Sequence, residues 1–225
     1  MNVKPFRPPP AHVTRAILVT CVAVQVVMLF MGSANAHYVM LVAGLVPARL
    51  TGAIVGLGSP IPAPLTLVTH MFLHGGLVHL AMNMVFLSWI GRQVEWLVGP
   101  ARLALLFLLG GIAGGLLQVA MQPSSVVPAV GASGAISAIF ATYALLFANS
   151  GEAPARVLGI RLSGETVRAL RYAALWIGLQ LLTAVAFNTP GAAGGIAIWS
   201  HIGGFIFGLL YAVPWVRDRK DDFGR

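Results

Sequence analysis

The sequence predicts an all-α membrane protein with six transmembrane helices, and its composition supports this fold class. Of the 225 residues, 58% are hydrophobic and only 9% are charged, whereas charged residues make up about 25% of an ordinary soluble domain. The basic residues stand singly or in small groups between apolar blocks, a pattern typical of membrane orientation and not of phosphate binding. A soluble globular fold is therefore excluded, and no nucleic-acid partner is expected.

Four stretches of the chain lack Asp, Glu, Lys and Arg, and these stretches hold the predicted spans. They lie between residues 15 and 49, 49 and 92, 102 and 152, and 171 and 217. A spanning helix needs about 20 apolar residues, so each of the last two stretches has room for two helices joined by a turn that contains Pro. The predicted spans are 16–33, 78–92, 102–121, 132–149, 168–188 and 197–215.

The segment from Ser33 to Val78 is too long for a tight turn and too rich in Gly and Pro for one regular span. It is expected to fold as a structured first outer loop that is partly embedded in the outer leaflet. Irregular backbone survives at membrane depth only where protein or a water-filled cavity satisfies its polar groups. A wet cavity is therefore predicted near the outer face.

The basic residues also predict the orientation. With a cytoplasmic N-terminus, only Arg49 of the 14 Lys and Arg residues falls outside, and this asymmetry places both termini in the cytoplasm. The predicted organisation is an N-terminal tail (1–15), a six-span membrane domain (16–216) and a solvated, disordered C-terminal tail (217–225). Such a compact chain suits a bacterial inner membrane.

The N-terminal region has an alternative interpretation. Its basic residues, the apolar run from Ala16 to Gly32 and the sequence Ala34-Asn35-Ala36 resemble a signal peptide with a cleavage site. Cleavage would leave five spans and upset the charge asymmetry. We therefore expect the first helix to be retained.

Polar residues inside apolar helices are costly in lipid and mark candidate functional sites. Four of them fall at one predicted depth, near the outer ends of the second, fourth and sixth spans: His79, Asn83, Ser133 and His201. Small residues that favour close helix packing line the last two of these spans. They are Gly134, Ala138 and Thr142 on the fourth span and Gly204 and Gly208 on the sixth. Because His201 shares a helix face with the two glycines of its span, a hydrogen bond between Ser133 and His201 is predicted.

The residues that are missing restrict the chemistry. No Asp occurs before Asp218 and every Glu maps to the cytoplasmic side, so neither a Ser-His-Asp triad nor a pair of catalytic carboxylates can form near the outer face. The chain has no H-E-x-x-H sequence, and its single cysteine, Cys21, excludes an intrachain disulfide and a cysteine metal site. A Ser133–His201 dyad remains, with no metal and no cofactor expected.

Such a dyad can act if packing holds its two side chains together. A histidine buried in a low-dielectric pocket stays neutral and can accept the serine proton. The oxyanion that forms needs donors, and the backbone N–H of Ser133 at a helix N-terminus is one candidate. His79 and Asn83 lie four residues apart, hence on one helix face, and are the other two candidates.

These residues resemble the motifs of the rhomboid intramembrane serine proteases. The matching sequences are His79-Leu-Ala-Met-Asn83, Gly131-Ala132-Ser133-Gly134 and His201-Ile202-Gly203-Gly204. The resemblance implies a six-helix fold in which Ser133 is the nucleophile and His201 the general base. It further implies an oxyanion hole made by His79, Asn83 and the Ser133 amide.

The chain departs from the family pattern at three points. Ser137 stands where members often have an aromatic residue that supports the base, and Ser200 replaces the usual Ala before the histidine. The Trp-Arg pair common in the first outer loop is absent. Another group must therefore orient His201, and the conformation of the outer loop is left open.

Other polar and small residues have plainer interpretations. Ser88 and Ser137 are expected to bond to their own helix backbone, and His70 and His74 to make structural hydrogen bonds in the loop. The Gly110-Gly111 and Gly114-Gly115 pairs are expected to form packing surface.

The resemblance implies a protease for the transmembrane segments of other membrane proteins. Substrates would be spans that unwind near the outer face, at small or helix-breaking residues. They would approach laterally through the lipid, and the fifth span is the candidate gate, with Trp176 and Phe187 as its bulky residues. The alternatives are an inactive rhomboid-like protein that binds transmembrane clients, or a small transporter, although no paired repeats are found.

Overall fold

A computed structural model describes residues 10–54, 59–146, 153–157, 160–164, 167–168, 171–172, 174–176, 178 and 197–223. The helices are α1 (His12–Phe30), α2 (Ser33–Ala43), α3 (Pro47–Leu50), α4 (Thr66–Thr69), α5 (Leu77–Phe86), α6 (Arg92–Val98), α7 (Pro100–Met121), α8 (Ser133–Leu146) and α9 (Ile198–Phe223). Two 3₁₀ turns (Ala63–Leu65 and His70–Phe72) flank α4, and a π-helical turn (Leu87–Gly91) joins α5 to α6. The strands β1 (Ala155–Val157) and β2 (Ile160–Leu162) form an antiparallel pair that the sequence analysis does not predict.

The described chain is mainly helical, as predicted, but it does not establish six spans. Within the described ranges, α1 and α7 are long and apolar enough to cross a membrane. A third span results if the helical run Leu77–Val98 is counted with Ala63–Phe72, to which it is bent by 79°. Helix α8 and the apolar part of α9, Ile198–Ala212, are shorter. Most of the predicted fifth span, 168–188, lies outside the described residues.

Helix α1 begins at His12, four residues before the predicted start, because a distant carboxylate caps it. Glu95 accepts the N–H groups of Val13 (2.9 Å) and Thr14 (2.8 Å) and the Thr14 hydroxyl (2.7 Å). The first N–H groups of a helix have no intrahelical partner, and the helix dipole favours negative charge there. The buried Glu95 therefore extends α1 and ties it to the inner end of the second predicted span.

Helix α9 ends later than predicted. It passes through Pro214 and continues to Phe223, so the backbone of residues 217–223 is helical where a disordered tail was expected. The prediction relied on the charged composition of this tail, yet Arg and Lys are good helix formers.

Helices α8 and α9 pack at glycine contacts with no room for a side chain. A Cβ on Gly204 would overlap the Gly134 carbonyl oxygen, and one on Gly208 would overlap the carbonyl oxygen of Ala138. The Thr142 hydroxyl donates to Gly208 O at 3.1 Å. The predicted pairing of these small residues is therefore the pairing in the structure.

Helix α7 completes this core through the two glycine pairs that the sequence assigns to packing. A Cβ on Gly110 would overlap that of Ala138 in α8, and one on Gly114 would overlap the Ser200 carbonyl oxygen in α9. Gly111 faces Met71 and Gly115 faces Leu45 and Leu67, and all three of these residues belong to the predicted outer loop. Close approach by all three helices places the N-terminal ends of α8 and α9 side by side.

The described part of the predicted first outer loop (33–54 and 59–78) is structured, and Arg49 holds much of it together. The Arg49 guanidinium donates to the carbonyl oxygens of Leu41 (2.9 Å), Val42 (3.0 Å) and Ile61 (2.9 Å). Leu45 and Ala129 exchange two backbone hydrogen bonds, of 3.0 and 2.8 Å, which attach this loop to the one before α8. Arg49 thus supplies loop contacts in a chain that lacks the Trp-Arg pair.

Candidate active site

Ser133 and His201 lie against each other at the N-terminal ends of α8 and α9. The distance from Ser133 Oγ to His201 Nε2 is 2.6 Å, within hydrogen-bonding range. Ser133 is the first residue of α8, and His201 is in the first turn of α9 with 3% of its surface exposed. The structure therefore brings together two side chains that are 68 residues apart along the chain.

Local packing around His201 fixes the distance between its helix and α8. Ser200 lies between α7 and α8, and its Oγ is 2.6 Å from the position of a Cβ on Gly134 and 3.0 Å from that of a Cβ on Gly114. Gly204, one turn after His201, contacts the Gly134 carbonyl. A small residue is thus required on each side of the histidine, and serine meets that requirement as alanine would.

His79 lies beside the serine, and Gly131 makes room for its ring. Gly131 has φ of +125°, a conformation that favours glycine. A Cβ built there would be 2.8 Å from His79 Nε2 and 3.6 Å from Ser133 Oγ. The glycine of the serine motif therefore serves two purposes, because it turns the chain into α8 and lets the imidazole approach.

Asn83 is on the same helix as His79, and one of its amide N–H groups bonds to the backbone of that helix. Its Nδ2 donates to the His79 carbonyl oxygen at 2.9 Å, and the side chain is 6% exposed. This bond uses one of the two amide N–H groups. The role of Asn83 as an oxyanion donor therefore stays a prediction that would use its second amide N–H.

The backbone of the outer loop positions the serine motif, a contribution that sequence reasoning missed. Gly131 N–H donates to the His70 carbonyl oxygen at 2.9 Å, and His70 Nδ1–H donates to Thr66 O at 2.8 Å. His70 is buried and makes the structural hydrogen bond expected of it. No sequence signal marks the first of these bonds, because both its groups belong to the main chain.

His74 does not follow the same expectation. It is 1% exposed, and neither ring nitrogen has a hydrogen-bond partner within the described ranges. Its ring meets that of His79 edge to face, with centroids 5.2 Å apart and an interplanar angle of 71°. The His74 ring therefore packs against His79, a residue of the candidate site.

Two serines away from the dyad serve as a comparison. The Ser137 hydroxyl donates to Ser133 O at 2.9 Å, and the Ser88 hydroxyl donates to Val85 O at 2.8 Å. Both bond to their own helix, as predicted, although Ser88 reaches three residues back and Ser137 four. Ser133, by contrast, directs its hydroxyl at a side chain of another helix.

A serine and a histidine in contact near one end of a helical membrane core are the arrangement found in intramembrane serine proteases. The chain matches the Rhomboid domain over residues 63–218, more than half its length. It is therefore a member of the rhomboid family and an integral membrane protein.

Three relatives illustrate the range of the family. RHOMBOID-like protein 4 of Arabidopsis thaliana is 33% identical over 141 residues, 62% of this chain and 31% of that protein. Rhomboid protease GluP of Bacillus subtilis is 30% identical over 159 residues, 71% of this chain and 27% of that protein. Inactive rhomboid protein 1 of Drosophila melanogaster is 32% identical over 76 residues, 34% of this chain and 5% of that protein.

The matched regions cover only part of these relatives. The chain spans 31% to 41% of the length of four Arabidopsis relatives. The relatives named above include one protein called a protease and one called inactive. Family membership alone therefore does not assign an activity to this chain.

Proposed function

We propose that this protein is an intramembrane serine endopeptidase that uses a Ser133–His201 dyad. The observation that carries the proposal is the 2.6 Å distance between the serine oxygen and the imidazole nitrogen. A nucleophile within hydrogen-bonding reach of a base is the arrangement that covalent catalysis requires. The family match supports the same chemistry.

In the proposed reaction, Ser133 Oγ attacks the peptide carbonyl carbon while His201 Nε2 takes the hydroxyl proton. The tetrahedral intermediate collapses, the C–N bond breaks, and His201 passes its proton to the leaving amine. Water then attacks the acyl-enzyme ester with His201 again as the base. His201 then gives the proton it took from water to Ser133 Oγ as the ester bond breaks, and the acid product leaves.

The intermediate carries a negative oxygen, and three donors are proposed to stabilise it. The Ser133 N–H stands at the start of α8, where backbone N–H groups are unpaired and the helix dipole is favourable. The His79 ring lies next to the serine, and Asn83 retains one amide N–H beyond its bond to His79 O. Loss of one such donor costs a factor of about 10²–10³ in turnover.

The substrates are proposed to be transmembrane proteins whose spans unwind near the outer face. A peptide carbonyl in a regular helix is already hydrogen-bonded and shielded, so helix-breaking residues at the cleavage site would favour attack. We place the protein in a bacterial inner membrane, with both termini in the cytoplasm and α1 retained.

The fifth span is the proposed gate for lateral access, and part of it can be described. Residues 171–172, 174–176 and 178 are helical, whereas Phe187 lies outside the described residues. Tyr172 makes ring contacts with Phe140 and Tyr143 of α8, and the Trp176 ring contacts that of Phe205 in α9 with centroids 5.0 Å apart and an interplanar angle of 42°. To admit a substrate, the fifth span would therefore have to separate from α8 and α9 and break these ring contacts.

The test is cleavage of a purified single-span reporter protein in lipid, together with labelling by a fluorophosphonate. Wild-type protein should cleave and be labelled, whereas Ser133→Ala and His201→Ala should do neither. Ser137→Ala is the matched control. It removes a serine hydroxyl from the next turn of the same helix, and this hydroxyl donates to a backbone carbonyl oxygen. It should retain both properties.

The alternative is an inactive rhomboid-like protein that binds transmembrane clients, a class to which the similarity with Inactive rhomboid protein 1 points. A well-folded wild-type protein that neither cleaves the reporter nor reacts with the fluorophosphonate would favour this alternative. Labelling that persists in Ser133→Ala would show that another residue reacts.

A further inference from the structure

The loop before α5 carries a backbone N–H that bonds to the ring of His79. Gly75 N–H donates to His79 Nδ1 at 3.3 Å. The next residue, Gly76, has φ of +147°, a conformation that favours glycine, and it immediately precedes α5. This turn folds the chain back, so that the Gly75 amide lies over the side chain four residues ahead.

The direction of this bond determines where the histidine carries its proton. A backbone amide can only donate, so His79 Nδ1 must offer a lone pair. A neutral imidazole has one N–H and one bare nitrogen. The proton of His79 therefore resides on Nε2.

His79 Nε2 and the serine oxygen both lie close to the position of a Cβ on Gly131. The Cβ position built on Gly131 lies 2.8 Å from His79 Nε2 and 3.6 Å from Ser133 Oγ. The N–H on Nε2 and the serine oxygen thus approach the same small volume. In the other tautomer a lone pair would face that volume and repel a negative oxygen instead of binding it.

We infer that the Gly75 main-chain amide is a positioning group for the reaction, because it holds His79 in the tautomer and ring orientation that donate from Nε2 towards the oxyanion beside Ser133. This inference rests on the proposed function. It assigns a task to the Gly75-Gly76 turn that its residue types alone do not reveal.

The loop also offers a matched control. Leu73 N–H donates to the His70 carbonyl oxygen at 3.3 Å, the same length as the Gly75 bond. Replacing the amide at residue 73 by an ester removes one backbone bond of this loop that does not involve the His79 ring. Replacing the amide at residue 75 removes the proposed positioning bond and leaves every side chain in place.

The experiment uses the full chain in lipid with ¹⁵N-labelled histidine and an ester at position 75 or 73. His79 resonances are assigned by their loss in His79→Gln, and kcat and KM are measured on the single-span reporter. Unmodified protein should show protonated Nε2 and bare Nδ1 at His79. The ester at 75 should perturb these two resonances and lower kcat about three- to tenfold, the effect of one net hydrogen bond, with KM unchanged. The ester at 73 should leave the His79 spectrum as in the unmodified protein.

Two results would overturn the inference. One is a proton on Nδ1 of His79 in the unmodified protein, and the other is an ester at 75 that leaves both the His79 resonances and kcat as they are in the unmodified protein. The proposed function fails separately, if the unmodified protein has no activity while its His79 spectrum is as expected. In that case the ¹⁵N spectrum still shows which ring nitrogen of His79 carries the proton.

Discussion

Gly204→Ala should separate the two halves of the dyad. A Cβ on Gly204 would overlap the Gly134 oxygen and lie 2.8 Å from the Gly134 carbonyl carbon. Non-bonded carbon atoms prefer about 3.5–4.0 Å, so α9 must move away from α8 by about 1 Å. That shift would lengthen the 2.6 Å contact between Ser133 and His201 beyond hydrogen-bonding range.

The expected cost of this substitution is large for activity and moderate for stability. A misplacement of about 1 Å at a reacting group costs roughly 10²-fold in rate, and overpacking a core costs about 1–3 kcal/mol of folding free energy. Reporter cleavage in lipid measures the first quantity, and the thermal unfolding midpoint measures the second. The activity loss should exceed what the unfolded fraction accounts for.

Two further glycines provide the controls. Gly208→Ala meets the Ala138 carbonyl in the same way, one turn farther from His201, and should lose similar stability with a smaller loss of rate. Gly178→Ala adds a Cβ that has no atom of the described residues within 4 Å, and it should keep the wild-type unfolding midpoint. Wild-type kcat and an unchanged midpoint in Gly204→Ala would refute this account of how the helices hold the dyad.

Three other predictions follow from contacts described above. Glu95→Gln should lower the free energy of unfolding by about 3 kcal/mol, because it removes the charge from all three capping bonds, whereas Thr14→Val should lower it by about 1.5 kcal/mol, because it removes only one of them; equal losses in denaturant titrations would contradict this. His79→Gln, which places an N–H near the Nε2 position, should retain at least about tenfold more kcat than His79→Asn; the reverse order would argue against donation from Nε2. Trp176→Ala should speed reporter cleavage about two- to tenfold by removing the ring contact with Phe205, and an unchanged rate would count against the gate.

The meeting of Ser133 and His201 could be predicted because local rules sufficed for it. His201, Gly204 and Gly208 share one face by helical spacing, and small residues on facing helices mark a close approach. The structure has these contacts, with Gly204 and Gly208 against α8. Patterns of this kind depend on side chains that lie within two turns of one another, which is the range over which a single sequence is informative.

Features that depend on distant partners could not be predicted. The start of α1 is set by Glu95, 81 residues from Thr14, and no pattern near His12 announces it. Asn83 shares a helix face with His79, but spacing does not show that its amide turns to the His79 carbonyl. Helix periodicity gives the face of a side chain and not the partner it selects.

The two hydrogen bonds between Leu45 and Ala129 join the outer loop to the strand of chain that leads into α8. Both bonds run between main-chain groups, so their formation requires of either residue only that it is not proline. Evolution is then free to exchange the side chains at 45 and 129 while the connection persists. A comparison of relatives based on residue conservation would therefore not detect these two hydrogen bonds, although it would detect the Gly131-Ala132-Ser133 motif that follows them.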